Sequence, residues 1–310
     1  MVLEANLAYW APSRFPRLQR IIFDNTLSQK EAVERVKDEA GRVDLVTDLS
    51  PLETLRVTQS PAAQVVKNRG ATVTVFGFFN RRKAGSPWYD VRLRQAVNYA
   101  INREDLIRYA TRGNGVIIPA LVPAQGFGYD PALAPYPFGP ATARRLLREV
   151  GAAEGLALHL IASEELQILD GTTFNRKTHL GRLDAPPESQ RWDIALMAYT
   201  DLLNFPALQA YHQYAFDGGW NWGIADGTLY QLRDAVLHTV DREQQQMLIR
   251  QMERHTQEQA HFLFLYNPIQ LYAVNKAVAF VSYVTILNLA ETGVTEQHWS
   301  VRPQRATTKE

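Results

Sequence analysis

Cysteine is absent from all 310 residues. Disulfides, thiolate nucleophiles, cysteine-ligated zinc and lipid attachment through a cysteine are therefore excluded within them. An excess of one charge is lacking too: 33 basic residues face 32 acidic ones, a net charge of +1. No general field draws such a chain to nucleic acid or to an anionic membrane. No apolar run approaches the roughly 20 residues that cross a bilayer. Met1–Leu7 has neither the basic start nor the long apolar run of a signal peptide, so as written the chain carries no export address. Catalytic signatures are missing as well. There is no Gly-x-Ser-x-Gly elbow and no phosphate loop. The histidines (His159, His179, His212, His238, His255, His261 and His298) are scattered without zinc spacing. His255 and Glu258 share a helix face but have no third ligand. Glu164 and Glu165 are adjacent, so on a strand they point to opposite sides and cannot work as an acid–base pair. No enzyme, metal or cofactor is expected, and there is no internal repeat or low-complexity tract.

What is present is a core. Hydrophobic residues make up 46% of the chain and charged ones 21%, which predicts a globule of one large or two ordinary domains. The best-punctuated stretch runs from Phe76 to Gly151. A strand over 71–79 ends at Asn80 and a basic turn, Arg81-Arg82-Lys83, follows. The turn is read as solvated, because no aromatic or glycine pattern for base stacking accompanies it. Asp90 is placed to cap a helix over 90–100 whose Leu93, Ala96, Val97 and Ala100 share one face. Asn102, with Asp105 three residues on, starts a second helix. A loop rich in Gly and Pro carries Gly128-Tyr129-Asp130-Pro131 and Tyr136-Pro137. A third helix, 141–150, has Pro140 at its start and Gly151 past its end.

The rest of the chain reads as alternating strands and helices. Strands are expected at 18–24, 43–49, 156–162, 192–201 and 262–266, and helices at 29–40, 51–58, 227–240 and 241–260. Asp184 to Ser189 is a turn-rich linker, 206–214 a helical turn, and Phe216 to Gly223 a loop of glycines and aromatics. The tail from Arg302 is expected to fray.

The order of these features resembles one family. Asn6-Leu7-Ala8-Tyr9-Trp10, then Phe79-Asn80-Arg81-Arg82-Lys83, then Asp90-Val91-Arg92-Leu93-Arg94-Gln95-Ala96-Val97-Asn98-Tyr99-Ala100-Ile101-Asn102-Arg103, then Gly128-Tyr129-Asp130-Pro131 and Pro135-Tyr136-Pro137 is similar to the bacterial extracellular solute-binding proteins of family 5. These deliver peptides, and in some members nickel or sugars, to ABC importers. The resemblance implies an α/β fold of the class II periplasmic-binding-protein type, with mixed sheets and flanking helices. It implies a partial lobe I over 1–79, lobe III over 80–268, and a return to lobe I over 269–310, as in a copy shortened at its N-terminus. It further implies a short peptide or related solute held in a cleft between lobes, ABC permease subunits as partners, and a periplasmic or extracellular location; without a leader the chain would stay in the cytoplasm.

Carried over residue by residue, the resemblance makes Asp201 the carboxylate that pairs with a peptide's ammonium end. Backbone groups around Ala198 and Thr200 bind the peptide main chain, and Tyr199, Trp220 and Trp222 act as aromatic walls. Asn80 stands near the inter-lobe hinge. Competing readings stay open: a turn aspartate at Asp201, loop packing at the two tryptophans, a plain turn residue at Asn80. A second function class also stays open, an interaction or sensor protein that keeps the scaffold without a competent cleft.

Overall fold

A computed structural model describes residues 1–11, 16–38, 42–70, 73–82, 85–162, 191–200, 224–283 and 287–301. In chain order the first elements are β1 (Val2–Glu4), β2 (Arg20–Ile22), α1 (Gln29–Val36), β3 (Leu45–Val46), α2 (Thr54–Thr58), β4 (Ala63–Asn68) and β5 (Val73–Phe79). Then come α3 (Val91–Ala100), α4 (Arg103–Asp105) running into a π-helical turn (Leu106–Ala110), β6 (Gly115–Ile117), α5 (Pro140–Glu149), β7 (Leu160–Ala162) and β8 (Ile194–Thr200). The last are α6 (Gly227–His238), α7 (Arg242–Glu258), β9 (Phe262–Pro268), β10 (Gln270–Asn275), β11 (Val278–Ala279) and β12 (Gly293–Val294). The chain forms two compact units, Met1–Ala71 with Ile269–Glu310, and Thr72–Pro268.

In the first unit, β10 lies between β3 and β4, antiparallel to both. Alternation along β10 sends Leu271 and Ala273 into one cluster with Val33 and Val36 of α1 and Val57 of α2. Tyr272 and Val274 go to the other face, with Val278 and Val294 of the β11–β12 pair. Helix α1 starts where its sequence says it should. Ser28 Oγ accepts from Glu31 N, and the Glu31 carboxylate accepts from Ser28 N at 2.9 Å, a reciprocal cap. β1 and β2 make a separate antiparallel ribbon.

The second unit is built on a sheet of order β6-β9-β5-β8-β7, antiparallel except for the β7–β8 pair. The sequence reading ended the first lobe at residue 79. β5, however, pairs with both β8 and β9 and so belongs to the second unit. Period-two alternation fills both faces. Phe76, Phe78, Ala195, Met197, Phe262 and Phe264 meet Leu229 and Val236 of α6 and Ile249 and Met252 of α7. Val75, Phe79, Ile194 and Leu263 meet Trp88, Leu93 of α3 and Leu147 of α5 on the other side. Gly77 leaves room in mid-strand: a Cβ there would lie 2.9 Å from Leu196 Cδ2 and 3.2 Å from Leu263 Cβ, so neighbours would have to shift.

The stretch from Arg94 to Arg103 has a structural explanation. β6 faces β9 only at Tyr266–Pro268, which leaves the backbone groups of Phe262 and Phe264 without a strand on that side. Side chains take the strand's place. Asn98 Nδ2 donates to Phe262 O at 2.9 Å, Asn98 Oδ1 accepts from Phe264 N at 3.2 Å, and Arg103 Nε donates to Phe264 O at 2.6 Å. Arg94 donates to the carbonyls of Trp88, Tyr89, Gln259 and Ala260. Burial pulls the Arg94 and Arg103 guanidiniums down to about 10, still charged at neutral pH. The loop before α5 is strapped to α7 in the same manner. Tyr136 donates its hydroxyl to Gln257 O, Arg254 pairs with Asp130, and buried Glu253 accepts from Val122 N at 2.7 Å.

Candidate functional site

The expected site lies where β8 ends. Ala198, Tyr199 and Thr200 pair with Val75, Thr74 and Val73 of β5. Asn80 N donates to Asp193 O, and Ile194 N donates to the O of His159, the residue just before β7. Antiparallel alternation carried along β8 then turns the N–H and C=O of Ala198 and Thr200 away from β5, to the β7 side. The last described residue of β7, Ala162, lies opposite Leu196. Among the described residues, no strand faces Ala198 and Thr200 there. The Tyr199 side chain is half-buried against the face covered by α6 and α7, and Ala198 packs on the opposite face. Beneath this end Asn267 Nδ2 donates to Val73 O and to Thr74 Oγ1, and Thr74 donates to Leu121 O. The floor is tied together by its own hydrogen bonds.

Asn80 lies at the other end of β5 and is buried. Its Nδ2 donates to Trp192 O at 2.9 Å and its Oδ1 accepts from Arg82 N at 3.1 Å. Asp201, Trp220 and Trp222 fall outside the described residues.

The basic turn departs from the sequence reading. Arg81 is 4% exposed, not solvated, because a carboxylate and two imidazoles wait for it inside. Its guanidinium donates to His261 Nδ1 at 2.9 Å, His261 Nε2 lies 3.0 Å from Asp226 Oδ2, and His255 Nε2 lies 2.9 Å from the same oxygen. Asp226 caps α6 by accepting from Leu229 N. Arg81 can only donate, so His261 Nδ1 accepts and its Nε2 carries the proton. Burial drives the His261 imidazolium pKa down to about 4 against the pull of Asp226, so this ring is neutral. The hydrogen bond from His261, with those from Leu229 N and His255, holds the Asp226 carboxyl well below its usual range. Burial also lowers Arg81 to about 9.

The donor atoms of Asp226, His255 and His261 lie within 4.8 Å of one another, a set of the types a transition ion takes. Yet both imidazoles turn N–H groups, not lone pairs, toward the carboxylate. A ligating His261 would also have to point a second N–H at Arg81, whereas ligand histidines give that proton to an acceptor. The arrangement is a charged latch joining the end of β5, α6, α7 and the start of β9. Sequence reading paired His255 with Glu258 and did not connect it to Asp226 or His261. The link depends on α7 ending at Glu258 with Gln259 as its cap, after which Ala260 adopts a left-handed φ of 45°.

A second chain of polar groups sits in the first unit. Asp44 Oδ1 accepts from His298 Nε2 at 2.8 Å and from Trp299 Nε1 at 3.0 Å, and His298 Nδ1 lies 2.7 Å from Ser300 Oγ. The order is that of a hydrolase relay. Here, though, Ser300's own N–H also points at His298 Nδ1 at 3.3 Å, closing the three groups into a turn that pins this segment to Asp44 beside β3.

The family model described as "Bacterial extracellular solute-binding proteins, family 5 Middle" matches residues 1–177. The dipeptide-binding protein of Escherichia coli is 25% identical over 154 residues, which is 50% of this chain and 28% of that protein. The periplasmic binding protein DppA from Helicobacter pylori, solved with the peptide STSA, superposes with a TM-score of 0.72 at 16% identity, covering 96% of this chain and 59% of its own. NikA from Brucella suis, solved with Fe(III)-EDTA, superposes with a TM-score of 0.76 at 17% identity, covering 95% of this chain and 65% of its own. The chain thus spans less than two thirds of each of these relatives.

Proposed function

The chain belongs to the bacterial extracellular solute-binding proteins of family 5, and from that premise we propose that it captures short peptides at the end of β8 for an ABC importer. Its mixed α/β architecture is that of the class II periplasmic-binding-protein fold. Members of the family bind solutes without catalysing a reaction on them, so the chain is no enzyme. Among the described residues, no helix is long and apolar enough to cross a membrane.

The observation that carries the peptide reading is the direction of the backbone at the end of β8. The N–H and C=O groups of Ala198 and Thr200 face away from β5, to a side where, among the described residues, no strand meets them. Such groups can pair with the main chain of an extended ligand, whatever its side chains. Asp201, next in sequence, supplies the carboxylate for the ammonium end through a charge-assisted hydrogen bond. Tyr199, Trp220 and Trp222 offer aromatic area without strict geometry. The dipeptide-binding relative and the STSA-bound neighbour support a peptide over a metal chelate as ligand. Permease subunits are the partners of this reading, and the periplasmic or extracellular side of the membrane is its location.

The test is calorimetric titration with tripeptides. Wild type binds saturably, and Asp201→Ala weakens binding by about 2–5 kcal/mol, the usual result of removing one partner of a desolvated ion pair. If wild type and Asp201→Ala are equally inert, the peptide reading fails. A different reading, an interaction protein without solute capture, draws on the exposed Val2, Leu3, Trp10 and Ile22 of the first unit.

A further inference from the structure

We propose that the free edge of β6 is a docking strand for an extended, acidic polypeptide segment of another protein, separate from solute capture at β8. Among the described residues, β6 is the outer strand of its sheet. It meets β9 through Gly115↔Pro268, Val116↔Asn267 and Ile117↔Tyr266, and the next residue, Ile118, donates to Leu265 O at 3.4 Å. Antiparallel alternation then directs the polar groups of Val116 to Asn267, and those of Gly115 and Ile117 outward. Pro268, opposite Gly115, has no N–H to give, in keeping with that phase. A row of outward N–H and C=O groups is a template for one more strand unless the edge is blocked. β6 carries no charge or proline of its own, and Val116 is 47% exposed.

The chemistry of the partner follows from what stands beside the edge. A hollow of about 690 Å³ is lined by Ile107, Gly113, Gly115 and Ile117, with Arg108, Arg112 and Glu104 around them. The floor is apolar and the rim holds two guanidiniums against one carboxylate. Among the described residues, neither guanidinium has an acidic partner. The backbone that presents them is unusual: Leu106–Ala110 is a π-helical turn, and Arg112 and Gly113 have φ of 52° and 80°. Such departures from regular geometry gather at binding sites. In a strand added to β6, every second side chain would point into the hollow. Acidic side chains with aliphatic neighbours complement Arg108 and Arg112 above Ile107 and Ile117. Main-chain hydrogen bonds provide the affinity and the guanidiniums the preference.

The experiment uses fluorescence anisotropy with the whole chain and a labelled hexapeptide, (Val-Glu)3, acetylated at one end and amidated at the other. Its blocked amine keeps this test independent of capture at Asp201. The acidic probe binds, more tightly at low salt than at high, while (Val-Lys)3 does not. The double variant Arg108→Glu/Arg112→Glu weakens binding by about ten-fold or more, whereas Asp201→Ala leaves it unchanged. Bound probe slows hydrogen exchange at the Gly115 and Ile117 amides of wild type. The proposal is overturned if the two probes bind alike, if charge reversal changes nothing, if those amides gain no protection, or if about 1 mM acidic probe gives no signal.

Discussion

In Thr72–Pro268 the sheet is covered on both faces, and the end of β5 and the start of β9 are closed by buried arginines, an asparagine and the Arg81–His261–Asp226–His255 latch. In the first unit β10 is covered on both faces too, but the β1–β2 ribbon is not. Val2, Leu3, Leu7, Trp10 and Ile22 are all exposed, Leu7 and Trp10 at 81% each. A two-stranded ribbon is marginal by itself in water, and contiguous apolar exposure usually marks contact with something else. The contrast teaches where the stability of this molecule is held. In the second unit, the backbone groups of Phe262 and Phe264 are met by buried side chains, so losing one of these is costly. In the ribbon, apolar side chains already face solvent, so replacing them costs little.

The contrast can be broken first at Asn98. Asn98→Leu keeps the size but strands Phe262 O, Phe264 N and an Arg103 guanidinium nitrogen in the interior. A loss of about 3–5 kcal/mol is expected, read as a lower urea midpoint by the fluorescence of Trp88 and Trp192. A loss below about 1 kcal/mol would show that these hydrogen bonds do not hold β9.

Acid tests the latch next. His261 is neutral in the fold, with its pKa lowered to about 4, while the unfolded chain takes up a proton near the ordinary value of about 6.5. The unfolded state therefore binds more protons as pH falls from about 6.5 to 4, and stability drops by up to about 1.4 kcal/mol per pH unit. Asp226, held below its ordinary range, adds stability that is present above about pH 4 and is lost as pH falls further. His261→Gln flattens the first window and, because the His261 hydrogen bond is the largest cause of the lowered Asp226 pKa, alters the second as well. An unchanged slope in that variant would assign the acid sensitivity elsewhere.

The smallest effect belongs to the ribbon. Leu3→Ser with Ile22→Thr changes unfolding free energy by about 0.5 kcal/mol or less, while light scattering shows reduced self-association. A large loss of stability would mean that β1–β2 is packed in solution and that the two regions do not differ as described.

Much of the second unit was legible because local signals and global packing agree. Asp90 accepts from Arg92 N and starts α3 as its sequence position suggests, and Asp241 accepts from Gln244 N at the start of α7. Other elements were less plain. β4 is not plain in the sequence, because Gln64 and Lys67 close in its only two valines and its partner β10 is some two hundred residues away. The helix expected from Asn102 runs only to Asp105 before widening into the π-helical turn. Arg81 reads as a surface charge because nothing near it in sequence pairs with it; its partner is His261, which in turn bonds Asp226. Of the site residues, the backbone phase at Ala198 and Thr200 followed only once the partners of β8 were known. Tyr199 was singled out by the resemblance alone; the structure puts it on the face of Ala195 and Met197, at every second position.

The central claim is that peptides are held by their charged amino end beside the last residues of β8. Titrating wild type with trialanine and with N-acetyl-trialanine tests it most directly. The account predicts saturable binding of the free amine and none of the acetylated form. Equal binding of the two, or capture of the acetylated peptide alone, would contradict it.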